Sequence, residues 1–233
     1  MGSDYHMINK LRTIVIALFV FFGLVSLVFP QDIQTAAAMF SQLAERYGQL
    51  YDYSSNVSIN VDGQKMGGRL YWKKKSRLRI DFTSPSEQVI VSNGELLQVY
   101  IPKYNVTLTQ KLDPSTNTAN MASAEGLSLL RKGYNISFKT GPQPVPLDEG
   151  GTELVNKLLL TWKNTNQGFR QIELSVTPSR YIRRLEGITS DRRVVRLDFY
   201  GMSINQGIAD IAFDYDSPPE SNKYDSFLFG NTN

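Results

Sequence analysis

Apolar residues recur along this chain with two different periods. Between Ile33 and Leu50, the residues Ile33, Ala36, Ala37, Phe40, Leu43, Ala44 and Tyr47 fall at three- and four-residue steps, which predicts an amphipathic helix. Asp32 is its expected N-cap and Gly48 its expected stop. After Tyr51 the period changes to two. Val57, Ile59 and Val61 alternate with Ser58 and Asn60 and lead into a hairpin turn at Asp62-Gly63. Further strands are expected over 68–74, 78–82, 88–92, 96–101 and 104–110, with Pro85 as a break and Asn93-Gly94 as a turn. The alternation lapses over 113–120. A short helix is then expected over 121–131, ended by Gly133, followed by a strand over 135–139. Three prolines between Gly141 and Gly151 predict a loop. Strands resume at 157–162, 170–176, 182–188, 194–202 and 208–215, after which Pro218-Pro219 closes the sheet and leaves a short tail.

About ten or eleven antiparallel strands with two helices predict a mainly β (α+β) fold in a single domain, 32–233. A sheet this long curls. Two helices are too few for a second full layer, so they are expected to lid the concave side of a strongly curved sheet, an incomplete antiparallel β-barrel. The interior of such a half-barrel is where an apolar cavity would form.

The N-terminus changes this picture by adding a compartment. Residues 1–6 read as an expression leader ahead of Met7. Lys10 and Arg12 then precede an apolar run from Ile14 to Phe29 that is broken only by Gly23 and Ser26, with a polar exit at Gln31-Asp32. This order predicts a signal peptide over 7–31. The run is shorter than the roughly 20 apolar residues of a spanning helix. The chain has no Cys, so neither a lipidated N-terminal Cys nor a disulfide is available to it. Losing Lys10, Arg12 and Asp4 with the leader lowers the formal charge from +3 to +2, too little to suggest a nucleic-acid partner.

The chemical inventory is thin. The single His is His6, in the leader, so the rest of the chain has no Ser-His-Asp, Cys-His or ordinary zinc arrangement. Asp214 and Asp216 lack a third clustered ligand for a cation, and no glycine-rich phosphate loop occurs. No enzyme activity, metal or cofactor is expected. The most charged stretch, Lys73 to Arg79, reads as a solvated hairpin end or as a docking patch for anionic headgroups or an acidic partner. Asn56, Asn105 and Asn135 lie in glycosylation sequons, which matter only in a eukaryotic secretory route.

The segments Gly68 to Phe82 (GRLYWKKKSRLRIDF), Pro85, Gln88 to Gly94 (QVIVSNG) and Val99 to Pro102 (VYIP) resemble the LolA family, periplasmic carriers of outer-membrane lipoproteins in double-membraned bacteria. Phe213 to Pro219 (FDYDSPP) is similar to the family's closing motif, and the order of elements agrees over nearly the whole chain. The resemblance implies a periplasmic monomer whose helical lid covers a cavity for acyl chains. It also implies acylated lipoproteins as cargo, an inner-membrane lipoprotein-releasing ABC transporter as donor and an outer-membrane acceptor. The cavity wall expected from alternation comprises Leu70, Trp72, Leu78, Ile80, Phe82, Val89, Val91, Leu97 and Val99, with Phe40, Leu43, Leu127 and Leu130 from the helices. Two positions depart from the family pattern. The lid-holding Arg and the Pro after it align with Lys74-Lys75, making Lys74 the expected latch without the planar guanidinium fork, and the aromatic residue at the cavity mouth aligns with Leu78. Two alternatives stand beside the lipoprotein carrier: a carrier of another lipid or glycolipid on the same fold, and a non-enzymatic sensor or regulatory β module.

Overall fold

The computed structural model describes residues 34–112, 123–165 and 167–227. The expected leader, signal peptide, Asp32 cap, 113–120 loop and residues Leu228 and Phe229 of the tail lie outside them. Helix α1 spans Ala36–Gly48 and starts one turn later than the periodicity predicts, because Thr35 is the N-cap: its hydroxyl accepts the N–H of Ala38 at 3.1 Å. The second helix, α2, spans Ala124–Gly133 and is capped in the same way by Ser123, whose hydroxyl accepts the N–H of Gly126.

Thirteen strands follow in chain order: β1 Asp52–Val61, β2 Gln64–Lys73, β3 Arg77–Ser84, β4 Ser86–Asn93, β5 Leu96–Ile101, β6 Val106–Lys111, β7 Tyr134–Phe138, β8 Val145–Pro146, β9 Leu154–Trp162, β10 Phe169–Val176, β11 Ile182–Thr189, β12 Val194–Ile204 and β13 Asn222–Asp225. They form one curved, unclosed sheet in the order β13-β6-β5-β4-β3-β2-β1-β12-β11-β10-β9-β7, with β8 paired to β9. All pairs are antiparallel except β13, which runs parallel to β6. The turns follow backbone chemistry: Asp62 (φ 50°) and Gly63 (φ 89°) supply the two left-handed residues that a tight hairpin needs. The described residues from Gln34 onward belong to one compact unit.

Both helices lie on one face of the sheet. Met39, Phe40 and Leu43 of α1 and Leu127 of α2 are fully buried there, in one cluster with Tyr53, Leu70, Trp72, Ile80 and Phe82 from the first strands and Leu158, Leu160, Ile172 and Leu174 from the later ones. Gly68 marks the closest approach within this wing. A Cβ there would overlap the carbonyl oxygen of Asp81 and lie 2.9 Å from the Cα of Phe82, where β3 carries a bulge. Gly68→Ala is therefore expected to cost about 1–3 kcal/mol by overpacking, measurable as a lower urea midpoint.

The structure corrects two expectations at the C-terminal end. Residues 208–215 do not form a strand, because both edges of β12 are already paired, with β1 and β11. The chain instead crosses the face opposite the helices through a 3-10 turn at Asp210–Phe213, packed against β3 and β4. It also continues past Pro218-Pro219 to add β13 as an edge strand.

Candidate functional site

Directly opposed residues of an antiparallel pair project from the same face, so the register assigns faces without ambiguity. One row crosses five strands on the helix-covered face: Leu70 pairs with Ile80, Ile80 with Ile90, Ile90 with Val99 and Val99 with Leu108. Every member is aliphatic. With strands about 4.8 Å apart the row is about 19 Å long. Leu70 and Ile80 are buried beneath the helices, whereas Ile90, Val99 and Leu108 are half-buried. A second row, Tyr53, Trp72, Leu78, Ser92, Leu97 and Gln110, runs beside it. The central core cluster takes in Leu78 and Ile90 at its margin and does not extend to Leu97 or Val99. The apolar face thus continues beyond the part that the helices seal.

Of the expected wall, Leu70, Trp72, Leu78, Ile80, Phe82, Leu97 and Val99 share this face, and Phe40, Leu43, Leu127 and Leu130 cover its sealed half. Val89 and Val91 do not join them. They pair with Asp81 and Arg79 on one side and with Tyr100 and Gln98 on the other, so they project from the opposite face. Val89, Ile90 and Val91 are three consecutive apolar residues, and alternation alone cannot say which of them points inward. The register set by the Thr83–Ser86 hairpin gives that place to Ile90. Val91 and Phe213 are each 1% exposed, because the C-terminal segment covers that outer face and gives it an apolar interior of its own.

The basic stretch is used in a way that neither sequence reading anticipates. Lys73 donates to the carbonyl of Ile208 at 2.6 Å and pairs with Asp210 at 2.6 Å, and Arg77 reaches Asp210 at 3.2 Å. Arg79 grips Asp81 with its Nε and donates from Nη1 to the carbonyl of Ala212 at 3.0 Å. Three of these cations therefore fasten the C-terminal segment to the sheet. The Lys73 hydrogen bond, helped by the charge of Arg77, holds the Asp210 carboxyl below its ordinary range. Lys74 and Lys75 are exposed, and the Lys74 ammonium lies 4.3 Å from the centre of the Tyr51 ring, just after α1.

The ties on α1 itself come from the turn between β10 and β11. Tyr47 accepts the N–H of Ile182 at 3.1 Å, Arg180 donates to Gln42 at 3.0 Å, and the Arg46 guanidinium stands 5.1 Å from the Tyr181 ring centre. Burial pushes the Tyr47 phenol well above its ordinary pKa and keeps it a neutral partner. Gln42, Glu45, Arg46, Gln49 and Arg180 line a groove of about 270 Å³ at this junction. Among the described residues no group of three acidic, His or Cys side chains is placed to hold a metal ion, and no helix is long and apolar enough to cross a membrane.

A curved, unclosed sheet with helices seated on its apolar inner face is a half-barrel, a class defined by its architecture. The family model described as outer membrane lipoprotein carrier protein LolA matches residues 32–216, and the chain belongs to that family. Curated relatives named outer-membrane lipoprotein carrier protein include one from Pseudomonas paraeruginosa, 24% identical over 76% of this chain and 78% of its own length. Another, from Francisella tularensis, is 25% identical over 81% of this chain and 89% of its own. An uncharacterized conserved protein from Thermus thermophilus has a similar fold, with a TM-score of 0.53 at 14% identity over 81% of this chain and 98% of that one.

Proposed function

We propose that this protein carries acylated lipoproteins across the periplasm, taking them from an inner-membrane ABC transporter and passing them to an acceptor at the outer membrane. The observation that carries the reading is the aliphatic row from Leu70 to Leu108, sealed by helices at one end and half-uncovered at the other. The names of the curated relatives support the same cargo. Each methylene laid on such a surface contributes about 0.8 kcal/mol when fully buried, so part of one acyl chain is enough for useful affinity. An acyl chain lies along the half-buried residues with one end beneath α1 and α2, which it moves off the sheet. In the closed state Phe40 and Leu43 occupy that space.

Native mass spectrometry of the protein purified from the periplasm of its own host tests this. A bound acylated protein is the expected result, and a bound free lipid supports the carrier of another lipid instead. An empty protein that also fails to release tagged lipoproteins from spheroplasts would sink both. Leu78 lies half-buried where the sealed and open parts meet, with Trp72 and Ser92 as its neighbours across the strands. Leu78→Glu places a charge on the apolar path and is expected to abolish cargo uptake while the circular dichroism spectrum stays native. Normal uptake by this variant would remove Leu78 from the path.

A further inference from the structure

We propose that Trp72 is the polar anchor of the bound chain, its indole N–H donating a hydrogen bond to the carbonyl oxygen of an acyl ester or amide. The inference rests on the carrier reading and adds to it which chemical group of the cargo is recognised. Trp72 is 3% exposed, and its Nε1 is buried with no acceptor among the described residues. A buried indole N–H normally finds a partner, because leaving one without an acceptor forfeits the hydrogen bond it had in water. This donor is also fixed in place. The ring stacks on Tyr53 with centroids 5.3 Å apart and planes 26° from parallel, in the core beneath the helices.

The two rows of the inner face differ in a way that matches such a ligand. The row from Leu70 to Leu108 is aliphatic throughout and suits methylenes. The row beside it carries polar groups, of which Ser92 is engaged with Ser76 and Gly94, and Gln110 with Lys111. Trp72 adds a donor with no such engagement, next to Leu78, where the face passes from buried to half-buried. A long chain with a single carbonyl satisfies both features at once: its tail follows the aliphatic row and its oxygen accepts from Trp72. A plain hydrocarbon fills the same surface and leaves the donor unpaired.

The test uses methyl laurate, N-methyl lauramide and tetradecane, three chains of matched length of which only the first two carry a carbonyl. Each displaces an apolar fluorescent dye from the wild-type protein and from Trp72→Phe. The variant is expected to lose about tenfold in affinity for the ester and the amide relative to tetradecane, equivalent to about 1.4 kcal/mol. A loss confined to the ester or to the amide supports the anchor and says which linkage it reads. Since the variant also changes the packing on Tyr53, a second readout keeps Trp72 in place. The chain has two tryptophans, and a Trp162→Phe background leaves the Trp72 indole N–H resonance alone in its region. That resonance is expected to move downfield with the ester or amide and not with tetradecane. An unchanged carbonyl-to-hydrocarbon ratio in Trp72→Phe, together with an unmoved resonance, would overturn the anchor while leaving the carrier reading intact. Failure of the wild-type protein to bind any of the three would overturn both.

Discussion

Asp52→Ala is expected to lower the unfolding free energy by about 3 kcal/mol, although this residue touches no part of the apolar face where a ligand would lie. Asp52 opens β1 and is 3% exposed. Its carboxylate accepts the N–H groups of Gln206, Gly207 and Ile208 at 2.8, 3.0 and 3.2 Å, and its carbonyl accepts that of Asn205 at 2.8 Å. Here the chain leaves β12 and turns onto the outer face, with Asn205 at φ 51° and Gly207 at φ 73°. One side chain thus holds the turn by which the chain leaves β12. Alanine leaves three N–H groups without their acceptor and loosens a segment that shields Val91 and Phe213. For a domain of this size the loss corresponds to a fall in Tm of about 6–12 °C. Asp52→Asn is expected to recover part of it, because an amide oxygen still accepts two of the three bonds. Hydrogen exchange in Asp52→Ala should accelerate first over residues 206–213. A Tm within 2 °C of the wild-type value would show that the C-terminal segment is held by other contacts.

The Asp52 junction also marks where the sequence stops being informative. Strands β1 to β6 are legible because their turns carry their own chemistry, Asp62-Gly63 and Asn93-Gly94, and because Leu70 and Trp72 alternate with Arg69, Tyr71 and Lys73. Helix α1 is legible because only one face of it is apolar. The outer strap is not. Its first part is held by Asp52, Lys73, Arg77 and Arg79, residues that read as ordinary surface charge until the fold brings residues 206–212 beside them. Asn222 to Asp225 is short, exposed and without alternation, so nothing local marks it as a strand; it forms because the edge of β6 is available. The face assignment of Val89 and Val91 fails for a related reason. A strand covered on both sides loses the period of two that would give its orientation, and the covering of the second side is itself the strap. Most of the apolar face could therefore be read from residues, but its middle strand had to wait for the register.

Phe40→Ala is expected to have the largest effect on stability and, in the same variant, to reveal what the space under α1 is for. Phe40 is fully buried in the cluster that joins α1 and α2 to the sheet. Removing so large a side chain costs about 3–5 kcal/mol, made up of lost transfer free energy and a cavity that the surroundings fill only in part. Heat or urea unfolding of the ligand-free protein should show this loss. Added methyl laurate then separates two arrangements. If the acyl chain extends beneath α1, it must displace Phe40 in the wild-type protein, whereas in the variant it enters space already open. The ligand-induced gain in unfolding free energy is then larger for Phe40→Ala than for the wild type, and the variant binds more tightly while being less stable. If the chain lies only along Ile90, Val99 and Leu108, the ligand adds the same unfolding free energy to both proteins, since binding stabilises by its affinity for the folded state alone. Equal gains would confine the site to the half-buried end of the row and leave the helices as permanent core. Unequal gains would make α1 a lid whose own side chains stand in for cargo, so that closing it after release costs the sheet none of its apolar contacts.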